Sequence, residues 1–402
     1  MTAQHLLKIS RLGHGLVLSQ KERRKTCEAT RRNFLKRARN LYPSLISDEN
    51  LTRAILEVNK THRWLPRHRP NKTVAWVEED IPARVKELRE IIDQLINRTR
   101  DLSPPIKKRR YDKSAGKWRD INEPLLWPDQ YVHHALVQVL EPTMMRGMDR
   151  YCCGSIKRRG IHYGMKQLKK WMKNDVKGTK YCLQLDIRHF YDSIQPKFVL
   201  DRLRRLVKDR KTLTLVERVV EHGVLIGVYC SQWLANTILQ PLDQLIHQGQ
   251  WRVSHYLRYM DNFTIFGPNK RKLRKLLAEI KTWLAGIGLT IKGDWQVFPT
   301  KGRIPTALGY RYGRGYTLVR KRNLLRIKRS LSRYRWKVKH RKKLSRKLAA
   351  GLLSRLGQLR HCNHTKIYRR IYEPGIQRTL KNVIRRYMKK ERSKWSTPLA
   401  MA

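Results

Sequence analysis

A surplus of positive charge constrains this chain more than any other feature. It carries 90 Lys and Arg against 31 Asp and Glu, a formal net charge of +59 on 402 residues. So much charge on a compact body repels itself unless phosphates offset it, so a polyanion is the expected partner, and nucleic acid is the first of that class. Hydrophobic residues at 40% and 11 Trp are enough to fill a core, which excludes a disordered basic tail. No apolar run reaches the roughly 18 residues of a membrane span, and the apolar patch within residues 1–20 lacks a small-residue cleavage site. The expectation is a cytoplasmic chain with no membrane partner. Its six cysteines form no CxxC pair and read as reduced, packed thiols, and His361-Cys362-Asn363-His364 has no second ligand pair to make a zinc site.

The charge is unevenly placed. From Arg320 to the end there are 28 Lys or Arg against Glu373 and Glu391 alone, laid over Leu324, Leu325, Ile327, Leu331 and Tyr334 at helical spacing. This predicts a basic helical module that tracks phosphates, with Arg320, Lys321, Arg322, Arg329, Lys342 and Lys343 as candidate RNA contacts. The first hundred residues also read as helices: Ser47 or Asp48 caps one, and residues 77–99 repeat apolar positions at i, i+3 and i+4 until Pro104-Pro105. Between these segments lie short β-rich runs, YCLQLDI, HYLRYMDNFTIFG, LTIKG and ALGYRYG, separated by helical stretches at 164–173, 233–247 and 270–286. Without βαβ regularity, a Walker A or a GxGxxG signature, the pattern predicts an α+β fold with a mostly antiparallel sheet.

Two acids stand out. Alternation of Leu183, Leu185 and Ile187 sends one strand face to the core and displays Asp186 on the other. Asp261 sits between two strand-like runs in Met260-Asp261-Asn262, where Asp and Asn tolerate tight turns, so it reads as the tip of a hairpin. Acids on neighbouring strands suit a pair of Mg²⁺ ions, the arrangement that activates a hydroxyl and neutralises a leaving pyrophosphate.

The residues around these acids resemble the reverse transcriptase family, in order, across roughly residues 107–365. DIRHFYDSI is similar to the first palm motif, YMDN to the Tyr-x-Asp-Asp hairpin, GLTIKGDWQ to the turn after it, ALGYRYG to the hydrophobic grip strand and GKWRDI to the fingertip segment. The resemblance implies a right-hand polymerase of fingers, palm and basic helical thumb. Residues 1–103 would be a helical N-terminal extension and the start of the fingers, 104–315 fingers and palm, and 316–402 thumb and tail. It implies RNA-templated DNA synthesis with Asp186 and Asp261 catalytic; Asp186, Ile187, Asp261 and Asn262 would hold two Mg²⁺, with Mn²⁺ as a substitute.

The same resemblance assigns Arg119 to the incoming triphosphate and Tyr191 to a steric gate that favours deoxynucleotides. Phe190 would pack the other way along the strand. Where most members have Gln-Gly and then Ser-Pro, this chain has Ile226-Gly227 and Ser231-Gln232. That pattern, with the CCGSIKRRGIHYG and LGQLRHCN segments, is similar to reverse transcriptases of diversity-generating retroelements. It implies nucleotide contacts at Ile226, Gly227, Ser231 and Gln232, error-prone copying at template adenines, and a small basic accessory protein as partner beside RNA template, cDNA and deoxynucleoside triphosphates. Rival readings are another bacterial reverse transcriptase, of group II intron or phage-defence type, and an inactive RNA-binding relative. Asn262 motivates the last, because it replaces the second acid of the hairpin; where many members offer a Lys as proton donor to pyrophosphate, Trp295 and Gln296 stand nearest, Lys292 is a candidate substitute, and the role is left unassigned.

Overall fold

Helices come first and pack onto the sheet that follows. The computed structural model describes residues 37–65, 69–112, 116–247, 249–363 and 375–393; the early apolar patch, Cys27 and His364 lie outside them. The first helices are α1 (Leu41–Leu45), α2 (Asp48–His62), α3 (Lys72–Glu79) and α4 (Ile81–Ile96). Ser47 is the cap of α2, accepting from Asn50 N. The single helix expected over 77–99 is instead two, because the Asp80 carboxylate accepts from Ala83 N and starts a new helix with Pro82 in its first turn.

A two-stranded antiparallel hairpin follows, β1 (Ile106–Asp112) and β2 (Lys117–Glu123). After a kinked segment at Leu126–Gln130, with Trp127 in an extended conformation, come α5 (Tyr131–Arg146) and α6 (Ile161–Asn174). The central strand β3 (Tyr181–Asp186) leads into α7 (Phe190–Ser193), α8 (Pro196–Arg204), α9 (Arg210–Val220), α10 (Tyr229–Ile238) and α11 (Gln240–His247). Strands β4 (His255–Tyr259) and β5 (Asn262–Gly267), helix α12 (Lys270–Ala285) and strand β6 (Gln296–Pro299) complete an antiparallel sheet in the order β4-β5-β3-β6. A small sheet of β7 (Thr306–Ala307), β8 (Tyr310–Tyr312) and β9 (Thr317–Val319) precedes α13 (Lys321–Lys339), α14 (Arg346–Leu359) and α15 (Ile376–Ser393).

The α+β expectation holds, with local corrections. LTIKG is not a strand: Ile291 makes one isolated bridge to Ile187, and the sheet edge is Gln296–Pro299. Phe190 and Tyr191 do not alternate along a strand, because His189 turns into the left-handed region and a short helix begins. ALGYRYG is split into β7 and β8 by Leu308 and Gly309, both at positive φ.

The four-stranded sheet is covered on both faces. Leu183, Leu185, Tyr256, Phe263 and Ile265 join a cluster with Leu51, Leu88, Leu136, Leu215 and Leu234 from the surrounding helices. Cys182, Leu257, Phe266 and Phe298 face the other way into a cluster with Trp171, Ile327, Leu331 and Leu352. Each such buried side chain contributes about 1.5–3 kcal/mol. The amino-terminal helices therefore share one core with the sheet, and the basic carboxy-terminal helices share the other.

Candidate active site

The β4–β5 hairpin reaches the end of β3, with Asp186 in register opposite Asn262 and Tyr259 paired to Asn262 across the hairpin. Met260 adopts a left-handed conformation, φ 56°, so the chain reverses through Met260 and Asp261. Ile187 N donates to Asp261 O at 3.2 Å and ties the hairpin tip to β3. The two acids singled out in the sequence thus meet at one end of the sheet.

Asp186 keeps 27% side-chain exposure. Its Oδ2 accepts from Lys292 Nζ at 2.6 Å, while its buried Oδ1 has no hydrogen-bond partner among the described residues. Burial raises its pKa to about 6; the Asp261 carboxylate adds to that rise and Lys292 opposes it. An orphaned buried carboxylate oxygen beside a second acid fits a divalent cation, which would satisfy both. Ile187 is buried and its side chain is core, so any contact with a cation would use its main-chain carbonyl. Asn262 is exposed and its Nδ2 donates to Asp261 Oδ1 at 2.9 Å. In this arrangement it steadies the acid beside it. Among the described residues no three His, Cys, Asp or Glu side chains converge, so a cation here would draw further ligands from main-chain, substrate or water oxygens.

Tyr191 leans on the main core beside Phe190, ring centroids 5.4 Å apart. Burial first, then the Asp261 charge, raises its hydroxyl pKa well above the ordinary value, and Arg119 pulls against this. Tyr191, Asp261 and Arg119 therefore share one electrostatic neighbourhood. Arg119 Nε donates to Asp112 Oδ2 at 2.9 Å across the β1–β2 hairpin. Asn122 N donates to Ile226 O at 2.7 Å, docking that hairpin on the Ile226-Gly227 turn. Gly227 has φ 109°, and a Cβ there would overlap Asn122 O and Ile121, so the close approach requires glycine. Ile226 is half-buried and belongs to neither large core cluster. Ser231 is buried in α10, and of that pair only Gln232 presents its side chain to solvent.

The six basic candidates are all exposed. Arg320 caps α13, Lys321, Arg322 and Arg329 ride on it, and Lys342 and Lys343 follow it. Arg322 Nη2 lies 3.3 Å from where a Gly116 Cβ would stand, so the first turn of α13 meets the tip of the β1–β2 hairpin.

Lys292, the candidate substitute for the proton donor, contacts Asp186 directly, a partner that its position in the sequence did not announce. One further feature was not legible as functional. Arg258, fully buried, forms a two-pronged ion pair with Asp243 beneath the hairpin tip, at 2.7 and 2.6 Å. The available signal was a charged residue inside an apolar strand and an acid among the apolar residues Leu242, Leu245 and Ile246 of α11.

Residues 106–301 match the family model described as reverse transcriptase (RNA-dependent DNA polymerase). This segment contains Arg119, Asp186, Tyr191, Ile226 and Asp261; α13 to α15 lie beyond it. No curated protein matches the sequence. Among solved structures the chain is similar to apo telomerase from Candida tropicalis, with TM-score 0.43 and 13% identity over 74% of this chain and 59% of that one. A form of that telomerase truncated from the C-terminal domain gives 0.39 and 15% over 54% of each chain. Telomerase from Candida albicans in complex with a fragment of telomeric RNA gives 0.43 and 11% over 75% and 61%. The chain spans less than two thirds of the length of these structures. No helix among the described residues is long and apolar enough to cross a membrane.

Proposed function

We propose that this chain, through residues 106–301, copies an RNA template into cDNA by nucleotidyl transfer. The observation that carries the reading is the meeting of Asp186, at the end of β3, with Asp261, in the β4–β5 turn, with one Asp186 oxygen buried and unpartnered. Asp186, Asp261 and the Ile187 carbonyl would hold two Mg²⁺, or Mn²⁺, with Asn262 at their edge. Bound there, the ions would activate a primer 3′-hydroxyl and neutralise charge on the triphosphate.

The chain's own residues divide the remaining work. Asn262 orients the Asp261 carboxylate. Arg119 offers a guanidinium to the triphosphate of a deoxynucleoside substrate. Tyr191, its ring braced by the core and its hydroxyl kept protonated, would obstruct a ribose 2′-hydroxyl. Lys292, within bonding distance of Asp186, is the cation nearest to serve a departing pyrophosphate. In this reading β1–β2 belongs to the fingers, the four-stranded sheet is the palm, and α13–α15 form the thumb, which tracks the template–product duplex with Arg320, Lys321, Arg322, Arg329, Lys342 and Lys343.

We assign the finer type to diversity-generating retroelements. Support comes from Ile226, an apolar side chain outside both large cores, on a turn that the fingertip hairpin grips through Asn122. An apolar contact there would discriminate poorly between pairs, with Gly227, Ser231 and Gln232 completing the family pattern. A small basic accessory protein would share this chain's sign of charge, so RNA would mediate their association. One observation favours a rival, an inactive RNA-binding relative: the Asn262 amide already occupies an Asp261 oxygen.

Primer extension on an RNA template with Mg²⁺ or Mn²⁺ separates the two. Wild type should extend, while Asp186→Ala and Asp261→Ala should abolish synthesis and leave RNA affinity nearly intact. Product from either variant at the wild-type rate overturns the site, and RNA binding without extension by wild type establishes the rival.

A further inference from the structure

The acids of the site are set by main chain, and the turn carrying Asp261 is held from below. Met260 is a non-glycine residue in the left-handed region, a conformation that an L side chain disfavours. Such a conformation persists where its surroundings over-determine it. Here they do. Arg258 Nη1 donates to Met260 O at 3.1 Å and to Asn236 Oδ1 at 2.8 Å. Nε and Nη2 donate to Asp243, Nη2 also reaching Asn236 O at 3.4 Å, and Tyr256 OH donates to the same carboxylate. Asn236 Nδ2 in turn donates to Gly154 O at 2.9 Å. At Gly154 a Cβ would fall 2.6 Å from Met260 Cγ and 2.8 Å from Met260 N, so the missing side chain is the space that Met260 fills.

Stability alone explains this network poorly. Arg258 and Asp243 are both 0% exposed, and a buried ion pair gains little over well-packed apolar residues because both charges lose their hydration. A guanidinium does supply direction, since its donors form a rigid planar fork. With two prongs fixed on Asp243, the third can point only at Asn236 and the Met260 carbonyl. We propose that Arg258, locked by Asp243, is a positioning residue for Asp261: it fixes the Met260 peptide, and through it the height of the Asp261 carboxylate against Asp186, while Gly154 provides the clearance. The consequence for rate rests on the polymerase reading; the consequence for the turn does not.

Arg258→Lys in the full chain tests this, because lysine keeps the charge beside Asp243 and loses the fork. Amide hydrogen exchange at residues 259–262 should quicken at least tenfold while the amides of β3 and β6 keep their protection. In primer extension, kcat per correctly folded molecule should fall tenfold or more, with KM for deoxynucleotide and RNA affinity changed less than twofold. Gly154→Ala leaves the ion pair intact and pushes on Met260 N, so it should give the same split and decides the matter if Arg258→Lys does not fold. Asn50→Ala removes a buried amide that bonds Leu45 O and Ala135 O far from the site, and should lower stability with kcat per folded molecule unchanged. Unchanged exchange at the turn overturns the proposal, as does faster exchange with unchanged kcat, or a rate loss equal to the fraction unfolded. If wild type extends no primer, the polymerase reading fails, and the exchange measurement still judges the turn.

Discussion

Asp186→Asn should destroy activity and yet stabilise the protein, in a manner that depends on pH. Asparagine stands in for the protonated acid without its titration. Burial, and the Asp261 charge after it, raise the Asp186 pKa from 3.8 to about 6. In the unfolded chain the carboxyl returns to its ordinary value, so between about pH 4 and 6 the folded protein holds a proton that the unfolded chain has released. Wild-type stability contributed by this proton is complete below about pH 4 and is lost as pH rises through 6. Two pKa units at about 1.36 kcal/mol each give nearly 3 kcal/mol above pH 7, reduced to about 2 kcal/mol because the group retains some solvent. By pH 4.5 linkage leaves about a third of that. Urea unfolding followed by tryptophan fluorescence, with chelator present, should show Asp186→Asn more stable than wild type by about 2 kcal/mol at pH 7.5 and by under about 1 kcal/mol at pH 4.5. An equal difference at both pH values would refute the reasoning, since it would mean that the carboxyl ionises as easily in the fold as in water.

Asn262→Asp exchanges a donor 2.9 Å from Asp261 for a second acid, so the magnesium concentration for half-maximal extension should fall about tenfold, the effect of roughly 1.4 kcal/mol of added attraction; complete loss of extension would show that the hairpin needs the amide. Replacing Arg320, Lys321, Arg329, Lys342 and Lys343 with Gln should flatten the log–log salt dependence of RNA affinity by about 0.7–0.9 for each phosphate no longer neutralised, and an unchanged slope places the RNA elsewhere. Arg322 is left in place because it rests against Gly116, and the whole segment is retained because its helices cover Cys182, Leu257 and Phe298. Ile226→Gln should restore a polar contact beside the nascent pair and lower misincorporation opposite template adenine by up to tenfold, about 1.4 kcal/mol, with extension preserved; identical error spectra from sequenced products would return Ile226 to a packing role.

The acids were legible because their signals are local. Alternation through Leu183, Leu185 and Ile187 was enough to put Asp186 on the opposite strand face, but that face is covered too, with Cys182 in the second core, and Asp186 is partly exposed because it ends the strand; Met260-Asp261-Asn262 between two apolar runs was enough to make a hairpin tip. Failures came where a short segment's fate depends on what it meets. LTIKG has strand composition, yet Ile291 reaches β3 for one bridge before the chain turns away and Gln296–Pro299 takes the edge. Phe190-Tyr191 looked like continuing strand, but His189 in the left-handed region starts a helix. The break at Asp80 was visible in principle, since Asp followed by Pro two residues later is a helix start.

Arg258 and Asp243 illustrate what periodicity cannot deliver. Each violates the pattern of its own element, a cation within a buried strand and an acid on a buried helix, and each taken alone reads as a small local cost. Only the packing of α11 against β4 shows that the two violations cancel, and only the β4–β5 register shows that the spare donor falls under the Met260 carbonyl. The conflict between local preference and burial was itself the readable signal: an uncompensated charge inside a core is expensive enough that two of them fifteen residues apart, among otherwise apolar neighbours, imply each other. Applied to this chain, that rule pairs Arg258 with Asp243, and the β4–β5 register then locates the constraint on the site in the strand that leads to the acid as much as in the acid itself.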